Sequence, residues 1–232
     1  MSKVFLSLHD VSVRFKMSGK ASQNDYIEPL KGISLDVHAG ETLGILGANG
    51  AGKSTLLKIL SGALHPDGGK VINRDASVAL LALQAGFDSN LSGRDNAIFR
   101  GMLLGYSRRE VLERLQEVKA YSELGDFFDE PVHKYSSGMS ARLGFAISTI
   151  INPDVLLVDE VLSVGDANFK IKAERTMMKK ISSGQTVVLV SHSRDQIANL
   201  CDRCLVLNNG SLIQGESVDD ALKIYDKIMW AG

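Results

Sequence analysis

Gly47, Ala48, Asn49, Gly50, Ala51, Gly52, Lys53 and Ser54 match the pattern G-x-x-x-x-G-K-[ST], whose chemistry is the wrapping of a polyphosphate by backbone N–H groups. Glycines let those N–H groups turn inward toward phosphate oxygens. A helix start beyond them adds unpaired donors and a partial positive charge. Lys53 is then expected to reach the β/γ-phosphates and the Ser54 hydroxyl to ligate Mg²⁺, with Thr55 joining the phosphate-binding set. The flanks fit: Leu43-Gly-Ile-Leu46 is a short apolar run and Thr55-Leu-Leu-Lys-Ile-Leu60 is helix-like, so the segment reads as strand, glycine loop and helix. The bland alternative is a glycine-rich turn that binds nothing.

Two further places carry reactive groups. Asp159 and Glu160 close the apolar strand Val155-Leu-Leu-Val158, which brings two carboxylates to the sheet edge where the glycine loop also ends. Asp159 is expected to hold Mg²⁺ through its water shell, and Glu160 to polarise a water for in-line attack on the γ-phosphate. A solvated strand end is the plain alternative. His192 terminates a second run of the same kind, Val187-Val-Leu-Val-Ser-His192, and is expected on the same edge. There it contacts the γ-phosphate or orients the attacking water, unless it is a structural histidine.

The elements that must position these groups follow from periodicity. Val11-Ser-Val-Arg-Phe15 and Ile33-Ser-Leu-Asp-Val37 alternate apolar with polar residues and predict an antiparallel edge sheet, with a polar surface loop from Lys16 to Glu28 between them. The runs at 155–158 and 187–190 are continuously apolar, as parallel strands buried on both faces require. Between about Gln84 and Asn152 helical patterns take over. Ser107-Arg-Arg-Glu110 is a candidate capping box, and Val111, Leu112, Leu115 and Val118 recur at helical spacing. Asn208-Asn-Gly210 predicts a hairpin turn, and Val218 to Met229 a last helix. Ligand sites of such sheets lie at the carboxyl ends of the parallel strands.

Composition bounds the function. The 232 residues suffice for one large α/β domain with an insertion, and 44% hydrophobic with 23% charged residues is ordinary for a soluble globular chain. A net charge of −1 gives no global field for nucleic acid or an anionic membrane. No apolar stretch approaches the ~20 residues of a membrane span, and the start is too short in apolar residues for a secretion signal, so a cytosolic chain is expected. Cys201-Asp-Arg-Cys204 has redox or half-zinc spacing, but no second pair completes a metal site. Helix-like residues before it and strand-like residues after it predict packed thiols at a junction.

Tyr135-Ser-Ser-Gly-Met-Ser-Ala-Arg-Leu143, followed by Phe145 and Ala146, reads as a second helix N-terminus and a second potential anion site. It is also similar to the signature motif of ABC transporter ATPases, where a Leu-Ser-Gly-Gly-Gln-type sequence opens a helix. The other family elements occur in the expected order: Gly47 to Ser54 as the Walker A loop, Val155 to Glu160 as Walker B, Ser163-Val-Gly-Asp166 as the D-loop and His192 as the switch histidine. The resemblance covers essentially the whole chain. It implies a P-loop NTPase core of the α/β class, over residues 1–83 and 153–232, with an antiparallel β edge subdomain and an inserted α-helical subdomain over 84–152.

The resemblance further implies a head-to-tail homodimer enclosing two ATP molecules with Mg²⁺. Each nucleotide touches the Walker A loop of one subunit and Ser136, Ser137 and Gly138 of the other. Phe15 resembles the aromatic residue that stacks on adenine, with Tyr26 in the following loop as its competitor and an inward-facing strand residue as the alternative for Phe15. Gln84 resembles the Q-loop glutamine that senses Mg²⁺, although its spacing to Leu91 is one residue short.

One branch stands out. Tyr135-Ser-Ser-Gly-Met139, Asp159-Glu-Val-Leu-Ser-Val-Gly-Asp166 and Ala85-Gly-Phe87 with Leu91-Ser-Gly-Arg-Asp-Asn96 resemble the ATPases of ABC-2 exporters for capsular polysaccharide, O-antigen or teichoic acid. That resemblance implies an integral membrane permease as partner, membrane contact only through it, and a peripheral place on the cytoplasmic face of the membrane. It gives the direction of transport; some O-antigen exporter ATPases carry an extra C-terminal carbohydrate-binding domain, and the length of this chain gives the expectation that it has none. Rival readings are an exporter of a drug or lipid, and a soluble ABC switch of DNA repair or translation. The latter needs a long coiled coil or paired cassettes, which this length does not hold.

Overall fold

Alternating side chains near the N-terminus form an antiparallel ladder longer than the alternation itself. The computed structural model describes residues 3–16, 26–81, 87–159 and 166–230. Strand β1 (Val4–Lys16) pairs antiparallel with β2 (Tyr26–His38). The ladder absorbs register shifts around Asp10 (φ 53) and Gly32 (φ 63), where backbone N–H groups bond Ser34 Oγ and Ser12 Oγ instead of the opposite strand. The expected loop from Lys16 to Glu28 is therefore shorter at both ends. Lys16 and Tyr26 are strand residues and face each other, a correction to the placing of Tyr26 in the loop.

The chain divides into two units, Met1–Ala76 with Gly184–Gly232, and Ser77–Ser183. In the first, β3 (Thr42–Leu46) lies parallel between β7 (Thr186–Ser191) and β8 (Arg203–Asn208). All of β3 and β7 is buried, which is why both read as unbroken apolar runs. Strand β9 (Ser211–Gln214) returns antiparallel on β8 through Asn209 (φ 48) and Gly210 (φ 83), the paired left-handed residues of a tight hairpin. Strand β4 (Gly68–Asn73) pairs with β1 on the side away from β2. Helices α1 (Lys53–Leu60), α6 (Arg194–Leu200) and α7 (Val218–Trp230) complete this unit.

The second unit holds a parallel pair, β5 (Val78–Leu80) with β6 (Val155–Asp159), and four helices. These are α2 (Gly93–Leu103), α3 (Arg108–Ser122), α4 (Ser137–Ile150) and α5 (Ala167–Ser182). Helix α3 opens with the expected capping box: Ser107 accepts from Glu110 N and Glu110 accepts from Ser107 N. Val111, Leu115 and Val118 enter a core with Ala97, Phe128, Leu143 and Ile147, whereas Leu112 stays 38% exposed. Each buried Leu or Phe of this kind contributes about 1.5–3 kcal/mol. Gly101 is what lets α2 approach: a Cβ there would lie 2.5 Å from Val111 Cγ2 and 2.9 Å from Ile151 Cδ1.

Candidate nucleotide site

The glycine loop joins β3 to α1 as the spacing requires. Gly47 is buried, and a Cβ on it would stand 2.6 Å from the Leu207 carbonyl oxygen of β8. Gly52 has φ 109, and a Cβ there would stand 2.2 Å from the Pro29 carbonyl oxygen of β2. Asn49 and Gly50 at the loop's outer turn are exposed, and nothing lies within 4 Å of a Cβ on Gly50. Lys53 folds back over the loop and donates to Gly47 O at 2.8 Å and Ala48 O at 3.1 Å while only 7% exposed. Two carbonyls thus hold the ammonium over the loop.

Helix α1 also starts differently from its neighbours. Helices α2 to α6 each take a side-chain cap, from Ser92, Ser107, Ser136, Asp166 and Ser193. The N-cap of α1 is Gly52, without a side-chain cap, and its first turn carries no acid. A side-chain cap of the kind that opens α2 to α6 is therefore not part of this helix start. Exposed Ser54 and half-buried Thr55 sit in that first turn.

His192 reaches the same edge by register. Leu46 pairs with Ser191 in the parallel ladder, so Gly47 and His192 are the next residues out of β3 and β7. The strand ends at Ser191, one residue before the expected end, and exposed His192 lies in the turn to α6. Around it, Ser191 Oγ donates to Gln196 Oε1 at 2.9 Å and accepts from Ser193 N at 2.9 Å. Sequence reading did not find Gln196 or Ser191. The available signal was S-x-x-Q at Ser193–Gln196, which resembles a capping box.

Phe15 is 44% exposed and Tyr26 is 57% exposed. Phe15 faces Ile27 across the ladder and Lys16 faces Tyr26. Residues directly opposite share a face and successive residues alternate, so Phe15 and Tyr26 lie on opposite faces of the ladder end. Phe15 shares its face with buried Val11 and Val13. Pro29, whose carbonyl meets Gly52, is two residues from Ile27.

In the second unit Asp159 is the last residue of β6 and is half-buried. Ser136 and Ser137 are exposed at the start of α4, where Ser136 Oγ accepts from Met139 N at 3.2 Å. The preceding Tyr135 donates to Phe127 O at 2.5 Å and lies over Gly93, where a Cβ would meet its oxygen at 2.2 Å. Burial pushes this phenol up to about 12. Along α4, Arg142 Nη1 stands 3.8 Å from Asp166 Oδ2. Asp166 caps α5 by accepting from Asn168 N and Phe169 N, and the bond from Phe169 is the main reason its carboxyl is held below the ordinary range.

Glu160, Gln84 and Ser163 to Gly165 lie outside the described residues. Cys201 and Cys204 are free thiols at the α6-to-β8 junction, as expected of packed cysteines. A Cβ on Gly44 would lie 2.9 Å from Cys201 Sγ, and burial pushes the two thiols up to about 12 and about 11. Among the described residues no helix is long and apolar enough to cross a membrane, and no group of three His, Cys, Asp or Glu side chains forms a metal cage.

A glycine loop ahead of an uncapped helix in a parallel sheet, with a histidine at the same edge and a serine-opened helix in the second unit, is the arrangement of a nucleotide-binding cassette. The ABC transporter family profile matches residues 30–163, more than half of the chain. The chain belongs to the ABC transporter family. It is 44% identical over 84% of its length to the O-antigen export system ATP-binding protein RfbB of Myxococcus xanthus, spanning 45% of that protein. It is 42% identical over 84% of its length to the teichoic acids export ATP-binding protein TagH of Enterococcus faecalis, spanning 44% of it. With the RfbB of Klebsiella pneumoniae the identity is 38% over 86% of this chain and 81% of that one. Among solved structures, the ATP-binding cassette MJ0796, in a dimeric post-hydrolysis state bound to ADP and Pi, matches with a TM-score of 0.73. The match covers 92% of this chain and 98% of that one at 24% identity, and so concerns the fold.

Proposed function

We propose that this chain is the ATP-binding and ATP-hydrolysing subunit that powers export of a lipid-linked cell-surface polysaccharide through a separate membrane permease of the ABC-2 type.

 The observation that carries the reading is the unfinished start of α1, where a helix without a side-chain cap or an acid meets a glycine loop and the buried Lys53 ammonium. A triphosphate would bring acceptors and negative charge to this end, where the helix has no side-chain cap and no acid in its first turn. Lys53 neutralises the β/γ-phosphates, the loop N–H groups hold their oxygens, and Phe15 meets the base. His192 holds the γ-phosphate or its attacking water from the β7 edge, and Glu160 takes that water's proton.

The residues present fit Mg²⁺. By residue chemistry Ser54 and Asp159 would each offer a hard oxygen of the kind Mg²⁺ takes beside phosphates, and Gln84 would be a further one. When bound, the ion neutralises charge on the phosphate oxygens. The exposed turn of Ser136, Ser137 and Gly138 then meets the nucleotide of a second copy, so ATP closes a homodimer and hydrolysis reopens it. The polysaccharide cargo, the permease and a peripheral place at the cytoplasmic face of the membrane are supported by the names of relatives at 37–44% identity. The chain spans less than two thirds of the first of those relatives.

Glu160→Gln tests the motor: the variant is expected to keep ATP and accumulate as a dimer on size-exclusion chromatography. Hydrolysis at the normal rate removes Glu160 as the base. Deletion in the source organism tests the cargo, with lipid-linked polymer expected to accumulate inside the cell. An unchanged envelope overturns the polysaccharide.

A further inference from the structure

The turn that carries His192 is built from bonds that nucleotide binding does not itself require. In a capping box the acceptor side chain returns directly to the N-cap N–H, and Glu110 does so to Ser107 N at 2.7 Å. Ser193 and Gln196 have the same spacing, yet here the ring is opened and Ser191 stands inside it. Ser193 N donates to Ser191 Oγ at 2.9 Å, Ser191 Oγ donates to Gln196 Oε1 at 2.9 Å, and Gln196 N donates to Ser193 Oγ at 3.4 Å.

A hydroxyl has one proton. With its oxygen taken by Ser193 N–H, the Ser191 proton points at Gln196, and at 2% exposure no water takes the place of that acceptor. The residue enclosed between Ser191 and Ser193 is His192, whose own side is exposed. Both flanks of the histidine are thus tied through one amide, which also belongs to the helix that follows.

We infer that Gln196 is a positioning residue for His192: through the Ser191 hydroxyl it fixes the turn from which the imidazole reaches the γ-phosphate or the attacking water. This rests on the role given to His192 above. The test is steady-state ATP hydrolysis, ATP affinity and melting temperature of Gln196→Leu, Ser191→Ala, Gln196→Glu, His192→Ala and the double variant Gln196→Leu with His192→Ala.

Gln196→Leu is expected to lower kcat about tenfold with KM for ATP within about twofold, inside the roughly 10²-fold that a 1 Å misplacement costs. Ser191→Ala breaks the same relay with a smaller change of shape and is expected to give the same loss. Gln196→Glu keeps an acceptor for the Ser191 proton and restores the rate. On His192→Ala, adding Gln196→Leu costs nothing further, because its influence passes through a ring already removed. A structural role alone would multiply the two losses and ignore the rescue by glutamate. Wild-type kcat in both Gln196→Leu and Ser191→Ala, or multiplying losses, overturns the inference. If His192→Ala itself hydrolyses ATP normally, the role of His192 falls; if it fails while Gln196→Leu does not, only the relay falls.

Discussion

The starts of α1 and α4 both hold glycine and serine, and they are finished in opposite ways. At Gly52 the chain leaves α1 without a side-chain cap and buries a lysine beside it. At Ser136 the hydroxyl accepts from Met139 N, so α4 completes its own first turn while Ser136 and Ser137 stay exposed. The first end takes no cap from a side chain, and the second takes one from Ser136. In the function proposed above, the anion site and the contact surface differ by one side-chain hydrogen bond.

The largest effect belongs to the unfinished end. Lys53→Ala is expected to weaken ATP binding by about two orders of magnitude, about 3 kcal/mol, by titration calorimetry. Unchanged affinity breaks the comparison. Ser136→Ala removes a cap worth about 1 kcal/mol and is expected to lower the melting temperature by about 2–4 °C. It leaves ATP affinity of the single subunit intact but lowers hydrolysis about tenfold, less than the roughly 10²–10³-fold that loss of a donor in a preorganised oxyanion hole costs. A matching loss of affinity would make the two ends alike.

Smaller still is the base contact. Phe15→Ala is expected to weaken ATP about threefold, in keeping with the about 0.5–1.5 kcal/mol of an aromatic stacking contact, while Tyr26→Ala on the opposite face changes it little. The reverse order assigns the base to Tyr26. The smallest effect concerns the thiols. Burial raises Cys201 and Cys204 from the usual 9.0 to about 12 and about 11, so the unfolded chain ionises first as pH rises. Their contribution to stability is complete below pH 9.0 and is lost toward pH 12, and Cys201→Ala is expected to flatten the fall of melting temperature over that window.

Where the backbone itself is the constraint, the sequence was readable. Gly47 and Gly52 are required by carbonyls 2.6 Å and 2.2 Å from a Cβ, Asn209 and Gly210 by a tight turn, and the runs in β3 and β7 by burial on both faces. Strand ends were harder. The alternation of β2 is broken by Pro29 and by Gly32 at φ 63, so only Ile33 to Val37 stood out and Tyr26 was assigned to a loop. Strands β4 and β5 are short and lack a clean alternation. The relay at Ser191 was hidden for another reason: S-x-x-Q fixes a spacing, whereas which oxygen the amide reaches depends on its rotamer.

Pro29 has the last consequence. Its carbonyl backs onto Gly52 at the phosphate loop and onto Gly210 of the β8–β9 turn, 3.0 Å from a Cβ there, while Lys31 N bonds Gly210 O at 2.8 Å. The ladder end that bears Phe15 is thereby set at a fixed stand-off from the loop that bears Lys53. Any side chain larger than hydrogen at Gly52 would collide with that carbonyl and push the ladder end away from the loop.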